Sequence, residues 1–146
     1  MKTKQIKQYK AWLTPESMHN MSINWLSELR FVHDEQLFFN DLIKSYTLQL
    51  IDSKHFKESK EVIDYLIAYE KKTDKLIRLI VEHEKRLSIL LNSINEQEED
   101  NNYKIEHSFL ESKVNVFLKD YKNFKLRLFK LIKGILKERK QKHLLQ

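Results

Sequence analysis

Three histidines sit where imidazole chemistry could be done. His33, His83 and His107 each fall on a different predicted helix, the last two inside apolar stripes and His33 flanking its stripe beside Leu29 and Gln36. Imidazole is the commonest transition-metal ligand and titrates near neutrality. A di-iron bundle needs Glu-x-x-His on two helices plus two further inward carboxylates. The residues three positions before these histidines are Arg30, Ile80 and Lys104, so that motif is absent, and His107 with Glu111 makes only a single His-x-x-x-Glu. Cysteine is absent as well, which excludes disulfides, thiolate metal sites and Cys nucleophiles. Catalysis would need a nucleophile, a base and an orienting group around a pocket, and a slim bundle offers little pocket volume. The expectation is therefore a non-enzyme without a cofactor or tightly bound metal. Its histidines are core or boundary residues, hydrogen-bonded to neighbours such as Gln36, Glu84 or Glu111. Gln36, Thr73, Glu70 and Glu84 read as polar layers that fix helix register.

Two surface features could carry a binding function. Lys119, Lys122, Lys130, Lys133, Lys137 and Lys140 fall within an arc of roughly 80° at 100° per residue, opposite the apolar stripe of the same helix. Acidic residues at helical spacing are nearly absent after Asp120, so these charges are not laced into pairs along their own helix. They would suit an anionic polymer, either nucleic acid or an acidic membrane, without sequence preference, since no aromatic lies in the arc to stack on bases. The second feature is an apolar excess on the first helix: Phe31 and Phe38, seven apart, with Leu37 and Leu42 nearby. A helix packed on two partners does not need so wide an apolar arc. The expected cover is intramolecular, from Trp12 and Leu13, with a protein partner or a second copy as the alternative.

Three long helices must position these groups. Thr14, Pro15 and Glu16 read as N-cap, first-turn proline and acidic first turn, opening a helix over about 16–52. Its 4-3 stripe runs Met18, Ser22, Trp25, Leu29, Val32, Gln36, Phe39, Ile43, Tyr46, Leu50. A second helix over about 58–95, capped by Ser59 in preference to Ser53, carries Val62, Leu66, Tyr69, Thr73, Leu76, Ile80, His83, Leu87, Leu90, Ile94. A third over about 102–140, capped within Asp100–Asn102, carries Tyr103, His107, Leu110, Val114, Phe117, Tyr121, Phe124, Leu128, Leu131, Ile135. Short polar turns between similar stripes predict an all-α fold: an antiparallel up-down-up three-helix bundle with coiled-coil-like packing. Residues 1–14 form a basic N-terminal segment, in which Ile6, Tyr9, Trp12 and Leu13 read as a short amphipathic docking helix; residues 15–146 form the single bundle domain. Pairing stripes around the turns sets Leu50 opposite Val62 and Ile94 opposite Tyr103. Leu29 then lies near His83, and His83 near Val114, so the three rings do not converge.

Composition agrees. One glycine and one proline in 146 residues leave little material for hairpins and bulges, while 41% hydrophobic and 33% charged residues supply a core and a solvated surface. Residues 1–10 carry four lysines and no acid, and residues 122–143 carry nine Lys or Arg against Glu138 alone, which leaves −6 for the remainder of a +6 total. The end of the third helix should then lie by Lys54, Lys57 and Lys60 at a basic pole. Glu96, Glu98, Glu99 and Asp100 mark an acidic pole, where the N-terminal segment could dock. The N-terminus lacks the apolar run of a signal peptide, and no stretch approaches the ~18 apolar residues of a span, so a cytoplasmic protein is expected. Heavy use of Lys, Ile and Asn suits an AT-rich bacterial genome. The function expected is a helical interaction or scaffold module. Anionic-polymer binding comes next, and a metal- or haem-binding bundle third.

Overall fold

The structure, a computed structural model, describes residues 13–91 and 96–145, and these are helical almost throughout, with no strand. Four helices are present among them: α1 (Pro15–Ser45), α2 (Thr47–Leu50), α3 (Phe56–Leu91) and α4 (Glu96–Leu145). The expected N-terminal docking helix, Trp12 included, and the side chains of Glu96, Glu98 and Glu99 lie outside the described residues, as does the stripe position Ile94.

α1 begins as its sequence dictates. Thr14 Oγ1 accepts the Ser17 amide at 3.0 Å, and Ser17 Oγ in turn accepts the Thr14 amide at 3.0 Å, satisfying N–H groups that a helix start leaves orphaned. The other boundaries depart from expectation. The continuous helix expected to residue 52 breaks at Tyr46, whose φ −113 and ψ 21 are not helical. Hydroxyls offer the local backbone alternative partners there: Ser45 donates to the Asp41 carbonyl, and Thr47 donates to those of Ile43 and Lys44. α3 starts at Phe56, before Ser59, which is buried inside the helix with its amide on the His55 carbonyl and so caps nothing. α4 begins at Glu96, so Asp100, Asn101 and Asn102 are interior residues.

The chain divides into two compact units, residues 1–31 with 73–116 and residues 32–72 with 117–146. In the first unit Met18, Leu87, Leu90 and Tyr103 form a buried cluster on which Leu13 packs. Leu13 is therefore committed to that cluster, and it does not cover Phe31, which is 64% exposed. The second unit is organised by aromatic rings. Tyr69 meets Phe117, Tyr121 and Phe124 with centroids 5.1–5.9 Å apart, and Phe39 meets Phe129 edge-on at 5.7 Å. Every described stripe position is buried except Ile43, Tyr46 and Tyr69, which are half-buried.

Candidate functional site

The first unit holds a polar chain in its core. His83 and His107 are completely buried, as are Ser22 and Thr73. His83 Nε2 lies 2.9 Å from His107 Nδ1, and His83 Nδ1 lies 2.9 Å from Glu106 Oε1. Arg86 grips that same oxygen with Nε at 3.0 Å and with a second guanidinium nitrogen. At the far end His107 Nε2 lies 3.4 Å from Met21 Sδ. Aromatic faces wall the chain: Trp25 stacks on His107 with centroids 4.7 Å apart, and Tyr103 stacks on His83 at 4.0 Å and 5°. Nearby, His19 Nδ1 bonds Glu84 Oε2 at 2.5 Å.

Two rings that the turn-based register set one to two turns apart are thus in direct contact, and His83 pairs with His107 where Val114 was expected. The register slipped because α4 begins earlier than the sequence suggested, so that Tyr103 packs with Leu87 and Leu90. The partners differ too. The pair is held by Glu106 and by each other, not by Gln36, Glu84 or Glu111. His33 takes no part; it is half exposed, with Nδ1 3.8 Å from Asp34. Met21, Arg86 and Glu106 were missed because all three lie off the 4-3 stripes. The spacing of Glu106 beside His107, and of Arg86 three residues after His83, was the available signal.

Burial explains the electrostatics. Desolvation pushes His107 down to about 4, helped by the neighbouring His83 ring, and it lowers His83 against the opposing pull of Glu106. Burial works to raise the Glu106 carboxyl, but hydrogen bonds from Arg86 and His83 outweigh it and hold Glu106 below its usual value. Burial also raises the Tyr103 hydroxyl, which makes no hydrogen bond to a described residue.

This arrangement predicts strong coupling between the two rings. His107→Leu should cost about 1–3 kcal/mol, because it strands His83 Nε2 in the core, whereas replacing both rings by leucine should recover much of that loss. Denaturant unfolding of the two single variants and the double measures this. Additive losses would mean that the two rings do not share a bond.

The basic face belongs to the second unit, and all six of its lysines are exposed. Three other cations of this unit are ion-paired to a different element: Lys125 with Glu35 at 3.2 Å, Arg127 with Glu58 and Glu61, and Lys54 with Glu138 at 2.8 Å, where His55 Nε2 also lies 2.8 Å from the Glu138 carboxyl. None of the six lysines makes such an ion pair with a described residue, although the Glu58 carboxyl, held below its usual value first by the hydrogen bond from Arg127, also feels the charge of Lys130. The His55 and Lys54 contacts hold Glu138 down to about 2. They also set the end of α4 beside the 51–55 turn, as expected, although Lys54 is neutralised there. A shallow depression near that end is lined by Lys133, Lys137, Lys140, Lys142, Arg139 and His143. Of the apolar candidates on α1, Leu37 and Phe38 are 55% and 59% exposed and Leu42 is half-buried.

No group of three or more His, Cys, Asp or Glu side chains among the described residues is placed to hold a metal ion. No helix among them is long and apolar enough to cross a membrane. No protein-family model, curated protein or solved structure matches the chain.

Proposed function

We propose that the protein is a non-enzymatic interaction module, an up-down-up bundle of three long helices with coiled-coil-like packing, and that it works by laying the lysine face of α4 on an acidic membrane surface. The observation that carries this reading is the contrast in pairing: Lys125 and Arg127 are tied to acids of neighbouring helices, whereas the six exposed lysines of the outer face make no such ion pair with a described residue, and of them Lys130 acts on a nearby carboxyl, that of Glu58. A stability-driven surface tends to relieve such repulsion. Lipid headgroups are favoured over nucleic acid because Leu126, 61% exposed, falls in the middle of the lysine arc at 100° per residue, and exposed Phe129 and Leu136 border it. Lysines that snorkel around apolar side chains suit a headgroup interface. Anionic lipid is concentrated on the cytoplasmic leaflet, which agrees with a cytoplasmic protein.

Sedimentation with phosphatidylserine vesicles at low salt is expected to carry the protein down, and phosphatidylcholine vesicles are not. Each lysine near such a surface contributes on the order of 1 kcal/mol. Lys130, Lys133 and Lys137 changed together to glutamine should therefore weaken binding on the order of 100-fold with the fold intact. Equal binding by the variant would sink the reading. Binding to DNA or RNA alone, with a log–log salt slope of about −0.7 to −0.9 per phosphate, would keep the face and replace the ligand. A second reading, a second copy seated on α1, is favoured by the exposure of Leu37 and Phe38. It requires a dimer in light scattering that Phe38→Ser abolishes.

A further inference from the structure

The buried polar chain has a direction. Arg86 gives Glu106 a cationic partner through two nitrogens, so Glu106 stands as a carboxylate and can only accept. At 2.9 Å from it, His83 Nδ1 must carry the proton and donate. A neutral imidazole has a single N–H, which leaves His83 Nε2 as an acceptor. His83 is completely buried and the charge of Glu106 is already matched by Arg86, so a second proton on this ring would be an added buried charge. The contact between His83 Nε2 and His107 Nδ1 therefore takes its proton from His107. His107 Nε2 is left as a bare lone pair. At 3.4 Å it faces Met21 Sδ, which has no hydrogen to give. Two lone-pair donors, an imidazole nitrogen and a thioether sulfur, thus meet with no proton between them.

We propose that His107 Nε2 and Met21 Sδ form a binding site for a soft monovalent cation of the Cu(I) class, with His83 and Glu106 as the positioning residues that fix the tautomer of His107. Thioether and imidazole are the donors that select Cu(I) over harder ions. A metal-ligating histidine ordinarily gives its other ring N–H to an acceptor that sets its orientation, and His83 backed by Glu106 is such an acceptor. Taking the lengths known for zinc as a guide, about 2.0 Å to an imidazole nitrogen and about 2.3 Å to sulfur, the 3.4 Å separation suits a bent arrangement that leaves one side open to a further donor. Missing carboxylates, the reason the sequence predicts no tightly bound metal, weigh against zinc or iron but not against a soft d10 cation. Met21 is half-buried and His107 fully buried, so the cation enters from the Met21 side.

Silver(I), a redox-inert stand-in for Cu(I), is the probe. It is titrated into the full chain carrying Trp12→Phe, so that Trp25, stacked on His107, is the sole tryptophan. One bound equivalent is expected by native mass spectrometry, with a change in Trp25 fluorescence and a shift of the His107 Nε2 nitrogen resonance. Met21→Leu, a nearly volume-conserving change at a half-buried position, should lose that equivalent. His33→Ala should keep it, and Glu106→Gln should weaken it about 10–100-fold. Undiminished binding by Met21→Leu would overturn the site, and so would no binding by the full chain. The nitrogen shift decides without the Met21 or Glu106 variants: movement at His107 Nε2 supports the site, and movement confined to other histidines overturns it.

Discussion

Replacing Phe39 by alanine is expected to destabilise the protein by about 3–5 kcal/mol, whereas the same change at its neighbour Phe38 should stay within about 0.5 kcal/mol. The two residues have the same chemistry and adjacent backbone positions, so only packing separates them. Phe39 is 1% exposed and meets Phe129 edge-on; Phe38 is 59% exposed, and its ring stands 6.0 Å from that of Phe39. Truncating Phe39 removes buried apolar area and leaves a cavity beside Phe129 that rigid helices close poorly. Truncating Phe38 removes area that water already reaches. Against a typical total stability of about 5–15 kcal/mol, the first variant should shift the guanidinium midpoint far down and the second hardly at all. A larger loss at Phe38 than at Phe39 would show that α1 turns the opposite face to its neighbours.

That face was legible in the sequence because helical periodicity is a strong signal over ten stripe positions. The 4-3 spacing places Phe39 inside and Phe38 outside, and it identifies His83 and His107 as core residues without further information. It could not say which core residues meet. Pairing depends on where each helix begins, and a shift of one heptad moves the partner of His83 from Val114 to His107. The signals at the turns are poor. Ser59 looks like a cap but is the third residue after α3 opens at Phe56, and Tyr46 breaks α1 with neither glycine nor proline to announce it. The polar chain was half visible for the same reason. Its two rings lie on the stripes, whereas Arg86, Glu106 and Met21 reach it from flanking positions, where a charged or flexible residue reads as ordinary surface. The lysine face was legible as an arc. That its members stay unpaired across helices, while Lys125 and Arg127 do not, depends on acids supplied by α1 and α3.

Acidification should expose the cost of burying that chain. Between about pH 6.5 and pH 4 the metal-free protein is expected to lose about 3 kcal/mol of stability through His107 alone. Burial holds the folded-state value down to about 4, against 6.5 for an ordinary histidine. Across that interval the unfolded chain binds the proton and the folded chain does not, so stability falls as pH falls. Above 6.5 both states are neutral and the contribution is fully present; below about 4 both are charged and the loss saturates. His83 is lowered as well and acts in the same direction. Glu106 is held below the carboxylate range by Arg86 and His83 despite its burial, so its share is present at neutral pH and is lost only as the pH falls through the carboxylate range. The groups facing the pair are consistent with this order. On α3 they are Arg86, already committed to Glu106, and Glu84, bonded to His19 of α1; on α4 it is Tyr103, whose hydroxyl burial keeps protonated. Guanidinium titrations at half-unit pH steps, followed by circular dichroism, should show the midpoint falling from pH 6.5 onward with an unchanged slope. His107→Gln should make the limb between 6.5 and 4 shallower, leaving the share of His83, and keep the carboxylate limb below it. A profile flat down to pH 4.5, or one that His107→Gln leaves unchanged, would mean that the folded protein accepts a proton on this pair, and that the ring is not held neutral by its surroundings.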